Sequence, residues 1–322
     1  MRLLITGSEG SLAQAIIPGL LSQGHEIVGV DSNVRYGTVE RVRDYEFRAC
    51  DLCDTDQTKQ LFDAKPFDAV FHLAALVYGV IGFHKRPADI FADNGLPVIN
   101  LLKYGHDQIG RFVYISSSMV YERCTPAHFE HDTRDTPVMH TAYGFSKYIG
   151  ERVVQAYHEQ YGIDTVIWRP FNVITPYEAP EEVGYSHVFS DFIEKILVQQ
   201  QQPLKILGDG EQVRCFTNIH DVAHALASFS LDDRSTNQVL NLANLEPMNM
   251  KQVAAVIVEL GKQFDLLPQG YELSFEHHPI YDDDVRLRIP DISKLWQTFE
   301  WQPRTKARQS LEECIRHRFQ VS

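Results

Sequence analysis

Apolar and polar positions along the chain fall into short apolar runs separated by stretches of helical period. The first run, Arg2-Leu3-Leu4-Ile5-Thr6, is followed by Gly7-Ser8-Glu9-Gly10-Ser11-Leu12-Ala13 and a helix-period segment through Leu21. Glu26-Ile27-Val28-Gly29-Val30 predicts a second strand ending in Asp31, and a short third strand precedes Asp51-Leu52. Ala69-Val70-Phe71-His72-Leu73-Ala74-Ala75 predicts a buried strand that ends in small residues. Residues 87–104 read as a helix, and Phe112-Val113-Tyr114-Ile115 as a strand running into Ser116-Ser117-Ser118-Met119-Val120-Tyr121. A helix carrying Tyr143 and Lys147 comes next, then the strand Thr165-Val166-Ile167-Trp168-Arg169 leading to Pro170-Phe171-Asn172. Strands alternating with helices this regularly predict an α/β fold with a doubly wound parallel sheet.

After Asn172 the rhythm changes. Pro176, Pro180 and three glutamates mark a loop, and 187–199 predicts a helix. A glutamine run ends at Pro203 as a solvated helix end, Gly208-Asp209-Gly210 is a turn, and 213–219 reads as a strand. His220 and Asp221 open a helix, 237–242 is a strand, and 250–264 and 306–319 are helical. The organisation expected is a dinucleotide-binding domain over 1–172, with 213–240 returning to its sheet. Segments 173–212 and 241–322 form a smaller C-terminal substrate-binding lobe.

Composition narrows the partners. Net charge is −13 and no basic block stands out, which argues against nucleic acid or an anionic membrane as the main partner. There is no apolar run near the length of a membrane span, and no signal peptide precedes the first strand. The five cysteines are scattered; Cys50 and Cys53 form C-x-x-C, without the second pair or adjacent histidine that zinc requires. They read as ordinary thiols of a reducing cytoplasm.

The chemistry begins at the glycine turn. Strand, glycine-rich turn and helix in that order are the context in which Gly7-x-x-Gly10 means a dinucleotide site. Gly7 permits the tight turn, Gly10 lets backbone approach a pyrophosphate, and Ser11 and Leu12 open the helix whose N-terminus receives it. Asp31, about twenty residues on, accepts from the adenosine ribose hydroxyls and repels a 2′-phosphate, so NAD is favoured over NADP. Arg35 is positioned to reverse that choice. Asp51 and Leu52 cap the adenine pocket, and the small residues after Leu73, Ala74 and Ala75, let backbone lie close to a cofactor. His72 reads as a packed strand-end residue. The serines Ser116 to Ser118 follow a parallel strand, where ligands bind in such sheets. Tyr143 and Lys147 are four apart, so both face one side of a helix. A free tyrosine has a pKa of about 10 and is no base at neutral pH. An ammonium one turn away, helped by a cationic cofactor ring, lowers that value and makes an acid/base pair for alcohol–ketone interconversion.

Collected in this order, the residues resemble the extended short-chain dehydrogenase/reductase family, specifically its nucleotide-sugar epimerases and dehydratases. The resemblance runs from Thr6-Gly7-x-x-Gly10 through His72-Leu73-Ala74-Ala75, Ser-Ser-x-x-x-Tyr, Tyr143-x-x-x-Lys147 and Arg169-Pro170-Phe171-Asn172-Val173. It continues to Gly208-Asp209-Gly210-Glu211-Gln212-x-Arg214 and Asp291-Ile292-Ser293-Lys294. It implies a Rossmann-type sheet, NAD as cofactor, and a homodimer packed through the helices holding 93–104 and 143–161. It also implies roles: Tyr143 the catalytic base, Lys147 the partner of the nicotinamide ribose, Ser117 the hydrogen-bonder of the reacting hydroxyl, and Pro170 a cofactor contact. Asn172 matches a residue that contacts the substrate diphosphate, and Arg214 and Arg288 look like the arginines that clamp it.

The departures bear on the reaction. Family dehydratases carry an Asp-Glu pair where this chain has Ser118 and Met119, decarboxylating members place a glutamate at the second position, and the cysteine of 3,5-epimerase/reductases is also absent. Ser186-His187-Val188 nevertheless resembles the segment that supplies a catalytic histidine in those last enzymes. His187 stays open between catalyst and helix N-terminal residue near the nucleotide. Cys215 replaces an aspartate usual after the arginine. The leading expectation is an NAD-dependent nucleotide-sugar 4-epimerase. A 4-keto-sugar reductase or 3,5-epimerase using His187 is the alternative, and a catalytically silent nucleotide-binding protein the third reading. The loops 76–83 and 177–185 are expected to choose the sugar and base.

Overall fold

The structure is a computed structural model that describes residues 1–34, 37, 42–124, 126–134, 139–178, 186–281 and 284–321, with the backbone alone at 80 and 81. Arg35 and the loop residues 179–185 lie outside the described residues.

Six strands of the N-terminal half, β1 (Arg2–Thr6), β2 (Glu26–Asp31), β3 (Glu46–Ala49), β4 (Phe67–His72), β5 (Ile109–Ile115) and β6 (Asp164–Pro170), join a seventh, Gln238–Leu242, in one sheet. The spatial order is Gln238–Leu242, β6, β5, β4, β1, β2, β3, and every neighbouring pair is parallel. The connecting helices are α1 (Ser11–Ser22), α2 (Thr55–Gln60), α3 (Val80–Lys85), α4 (Pro87–Gly105) and α5 (Ala142–Tyr161). Alternation along β1 explains why its run is apolar throughout. Leu3 and Ile5 enter a cluster with Ile16, Ile17 and Leu20 of α1, while Leu4 enters a second cluster with Val98, Leu101 and Leu102 of α4. A parallel strand covered on both faces has no polar side to show. Strand order reverses between β1 and β4, which opens a crevice at their carboxyl ends.

The smaller lobe has its own apolar cluster, with Phe189, Phe192, Ile196, Leu204, Ile257 and Leu311 at its centre. Its helix α6 (Val188–Ile193) continues as a π-helical turn, Glu194–Val198, and α7 (Ile219–Phe229) crosses back to pack on α1. The run expected as one strand over 213–219 is two: Val213–Cys215 and Thr217–Asn218, separated at Phe216, whose ring enters the lobe cluster. Val213–Cys215 pairs with Pro247–Asn249 and Leu287–Arg288 rather than with the large sheet, so within 213–240 the return to that sheet is made by α7 and the strand from Gln238. Ile292, Leu295 and Trp301 also join the large-sheet cluster, so the chain visits that half once more before its last helix. Among the described residues no helix is long and apolar enough to cross a membrane.

Candidate active site

The crevice and the lobe enclose a cavity of about 980 Å³. Every site residue named from the sequence lines it, from Gly7, Gly10, Ser11, Leu12 and Asp31 at one end to His187, Val188, Arg214 and Arg288 at the other. Between them lie Asp51, Leu52, Leu73, Ala74, Ala75, Ser117, Ser118, Met119, Tyr143, Lys147, Pro170 and Asn172.

At the glycine turn, Gly7 has φ +69°, and a Cβ there would come within 2.8 Å of the Ala74 backbone. The loops after β1 and β4 therefore meet only because residue 7 has no side chain. Gly10 caps α1 without a side-chain bond and no acid sits in the first turn, so the first N–H groups of α1 are available to an anion. Asp31 is held in place: Oδ2 accepts from the Glu9 N–H at 3.0 Å and Oδ1 from the Asn33 N–H at 2.8 Å. Glu9 is in turn gripped by Arg43 at 3.1 Å through both carboxylate oxygens. The Leu52 carbonyl accepts from Asn100 Nδ2 at 2.8 Å, which fixes the loop after β3. An uncapped helix N-terminus and a fixed carboxylate at the next strand end fit the pyrophosphate and ribose of the expected dinucleotide. The buried Ser116 Oγ, which has no partner among the described residues, adds a donor on the same wall. His72 is buried and its Nδ1 lies 2.8 Å from Thr6 Oγ1; burial, then the Lys147 charge, push its pKa down to about 3, so it stays neutral.

Tyr143 sits in a small apolar cluster of its own with Ile90, Met119 and Ala142. Thr141 caps α5 by accepting the Gly144 N–H at 3.0 Å, and Glu122 holds that cap by accepting from Thr141 Oγ1 at 2.7 Å. A Cβ on Gly144 would stand 2.8 Å from the Met119 carbonyl oxygen, so glycine beside the tyrosine is what lets α5 close on the serine segment. Ser117 then lies near enough to the Tyr143 phenol to draw its pKa down. The Phe83 ring of α3 stacks on Tyr143, 4.9 Å between centroids and 5° from parallel. Lys147 Nζ donates to the Ile115 carbonyl at 2.8 Å and stands 6.0 Å from the Tyr143 ring centre.

The electrostatics differ from the expectation. Burial pushes the Tyr143 phenol up to about 12, against opposing pulls from the nearby Ser117 hydroxyl and the Arg288 charge. Burial also draws the Lys147 ammonium down to about 8, with the Glu151 carboxylate opposing it. The lowering expected of Lys147 is not found in the protein's own groups, because the desolvation that brings lysine and tyrosine together penalises both charges. What remains of that expectation is the cationic ring invoked beside it.

On the lobe side, Arg214 and Arg288 occupy paired positions on adjacent strands and are both buried. Arg214 Nη2 donates to Asp284 at 3.2 Å, whereas Arg288 reaches only Asn172 Oδ1 at 3.5 Å and its Nε has no partner among the described residues. Burial and the Arg214 charge pull the Arg288 pKa down to about 9. Asn172 has φ +39°, a conformation asparagine tolerates, and its amide donates to the Cys215 carbonyl at 3.2 Å. His187 caps α6, and its Nδ1 lies 2.9 Å from Glu178 Oε2.

Several site features escaped the sequence reading. Phe83 comes from a separate short helix, and Glu178 and Asp284 from loops, whose approach no spacing announces. Glu151 carried a signal: it lies four residues after Lys147, on the same helix face, and is buried with Arg169 donating to both its oxygens at 2.8 and 2.6 Å.

Comparison with known proteins follows the same lines. Residues 3–243 match the NAD dependent epimerase/dehydratase family. The chain is 26% identical over 324 residues to a UDP-glucuronate 4-epimerase of Thermodesulfobacterium geofontis, covering 97% of this chain and 94% of the relative. It is 27% identical over 326 residues to a dTDP-D-glucose 4,6-dehydratase of Bos taurus, covering 98% and 87%. Among solved structures, an epimerase of Methanothermobacter thermautotrophicus superposes with a TM-score of 0.86 at 26% identity, covering 99% of this chain and 92% of that one. The chain belongs to the NAD dependent epimerase/dehydratase family, and its cofactor is NAD.

Proposed function

We propose that the protein is a nucleotide-sugar epimerase that inverts C4 through a transient 4-keto sugar. The observation that carries this reading is the company Tyr143 keeps: Ser117 beside its phenol, a buried lysine one turn on, and no acid at 118 or 119. Tyr143 takes the proton of the 4-hydroxyl and later returns it, while Ser117 donates to the same oxygen. Bound NAD supplies a reversible acceptor for the hydride that leaves C4. Dehydration would also need an acid for the departing hydroxyl and a base at C5, and the Ser118 hydroxyl and Met119 thioether serve neither purpose. The next acid along the chain, Glu122, is engaged at the Thr141 cap and is not among the residues lining the cavity. Arg214 and Arg288, with Asn172, hold the diphosphate, and the lobe receives the nucleotide. The relatives' names cover both epimerisation and dehydration, so these residues decide the reading.

A second reading has one observation behind it. A carboxylate-held imidazole, Glu178 with His187, lines the same cavity and suits base chemistry at C3 or C5 of a 4-keto sugar, or its reduction. Incubation with UDP-, GDP- and CDP-sugars in heavy water separates the two. The 4-epimerase yields a C4 epimer with no carbon-bound deuterium and no net cofactor consumption. Deuterium at C3 or C5 would overturn it in favour of His187, as would stoichiometric oxidation of added NADH by a keto sugar. A homodimer through α4 and α5 belongs to the same proposal. Phe91, Leu96 and Ile99 are exposed on α4, and Phe145 of α5 meets Phe91 edge-on beside them. The sedimentation mass tests it.

A further inference from the structure

Between its two glycines the turn after β1 carries an acid, Glu9, whose side chain is only 2% exposed. A buried carboxylate in a turn that receives a pyrophosphate is out of place on charge alone. It is held in a side-on pair: Arg43 Nε donates to Oε1 and Nη2 to Oε2, both at 3.1 Å. The Tyr45 hydroxyl donates to Oε1 at 3.4 Å, and the Arg43 guanidinium lies over the Phe47 ring of β3, 4.3 Å from its centre. Gly29 of β2 makes room for this packing. A Cβ there would stand 2.5 Å from the Tyr45 ring and 2.9 Å from the Ser8 side chain.

Glu9 therefore holds two groups of opposite charge. Its backbone N–H donates to Asp31 Oδ2 at 3.0 Å, and its carboxylate grips Arg43. Asp31 lines the cavity where the adenosine ribose is expected, whereas neither Glu9 nor Arg43 is among the lining residues. A guanidinium bonded to the residue that holds the ribose acid is the group a 2′-phosphate would recruit, because its planar fork of donors matches phosphate oxygens. Stability does not explain fixing it elsewhere. A buried ion pair is commonly no more stable than apolar residues of the same volume.

We propose that Glu9 is a cofactor-specificity residue: it keeps the Arg43 guanidinium behind the glycine turn, so the ribose end of the site presents the Asp31 carboxylate without that cation. The inference concerns the cofactor and is independent of the reaction at C4. A 2′-hydroxyl donates to Asp31 and needs no cation. A 2′-phosphate meets the Asp31 charge and finds Arg43 already engaged. Drawing Arg43 away would break two charged hydrogen bonds and leave a buried carboxylate without them, a larger cost than for a neutral group.

Calorimetric titration of the full chain with NAD and NADP is the test. The wild type should bind NAD about 10-fold or more tightly than NADP. Glu9→Gln keeps the N–H on Asp31 and the shape of the side chain but gives up its charge. It should shift the affinity ratio toward NADP by about 10- to 100-fold, the worth of one released charged hydrogen bond. Loss of the Glu9 charge favours the pyrophosphate of both cofactors alike, so the ratio isolates the 2′ position. Adding Arg43→Met should return the ratio to that of the wild type. If the thermal midpoint shows that Glu9→Gln has lost its fold, Glu9→Ala, with and without Arg43→Met, asks the same question without a buried amide. A wild type without NAD preference, an unchanged ratio in the folded Glu9 variant, or a gain for NADP that survives Arg43→Met would each overturn the proposal.

Discussion

On the large-sheet side of the cavity the polar groups hold one another, whereas on the lobe side one buried charge, Arg288, is left short of partners. Asp31 accepts two backbone N–H groups, Lys147 donates to the Ile115 carbonyl, and His72 bonds Thr6; Ser116 Oγ is the exception. Across the cavity, the buried Arg288 Nε has no partner among the described residues. A buried polar group left unmet costs about 1–3 kcal/mol, and more when charged, and an anionic ligand relieves that cost on arrival. The finished wall suits a group that stays through many turnovers. The unfinished wall suits one that is exchanged each time, because part of its binding free energy is stored in the empty site.

The largest effect expected lies on the finished wall. Tyr143→Phe should lower turnover by at least about 10⁴-fold with NAD affinity and thermal midpoint retained, whereas Ser117→Ala should cost about 10²-fold. Substantial activity in the phenylalanine variant would remove Tyr143 from the mechanism.

Arg288→Met tests the unfinished wall. Losing a charged hydrogen-bond donor worth about 1.5–3 kcal/mol should raise KM for the sugar nucleotide about 10- to 100-fold, with kcat changed less. Its thermal midpoint should be equal or higher, because a buried cation short of partners has been removed. A lower midpoint with unchanged KM would mean that Arg288 supports the fold, and the contrast between the walls would fail.

The smallest effect is one of pH. Lys147, drawn down to about 8 by burial with Glu151 opposing, should lose its proton as pH rises through that value. NAD affinity and turnover should fall there about tenfold per pH unit at most, and Lys147→Arg should abolish that limb. The stability sign is opposite. An unfolded lysine keeps its proton to about 10.4, so above pH 8 the unfolded chain binds more protons and this group's contribution to stability rises with pH. Circular dichroism through the same range should show no unfolding from this source.

What the sequence alone determined is what local periodicity and backbone freedom encode. Gly7, free to take φ +69°, marks the turn; the apolar run of β1 marks a strand covered on both faces; and four-residue spacing aligns Tyr143 with Lys147 on one helix face. Tertiary structure decided the rest. Arg214 and Arg288 are 74 residues apart in sequence and become neighbours only through the register of two strands. Phe83 reaches Tyr143 from a separate helix, and Val213–Cys215 left the large sheet for the lobe. The ionisation of Tyr143 turned the same way: spacing places a lysine nearby, but depth of burial, which no spacing states, decides whether its charge outweighs desolvation. Such contacts depend on which faces pack together, a property of the assembled core rather than of any stretch within it.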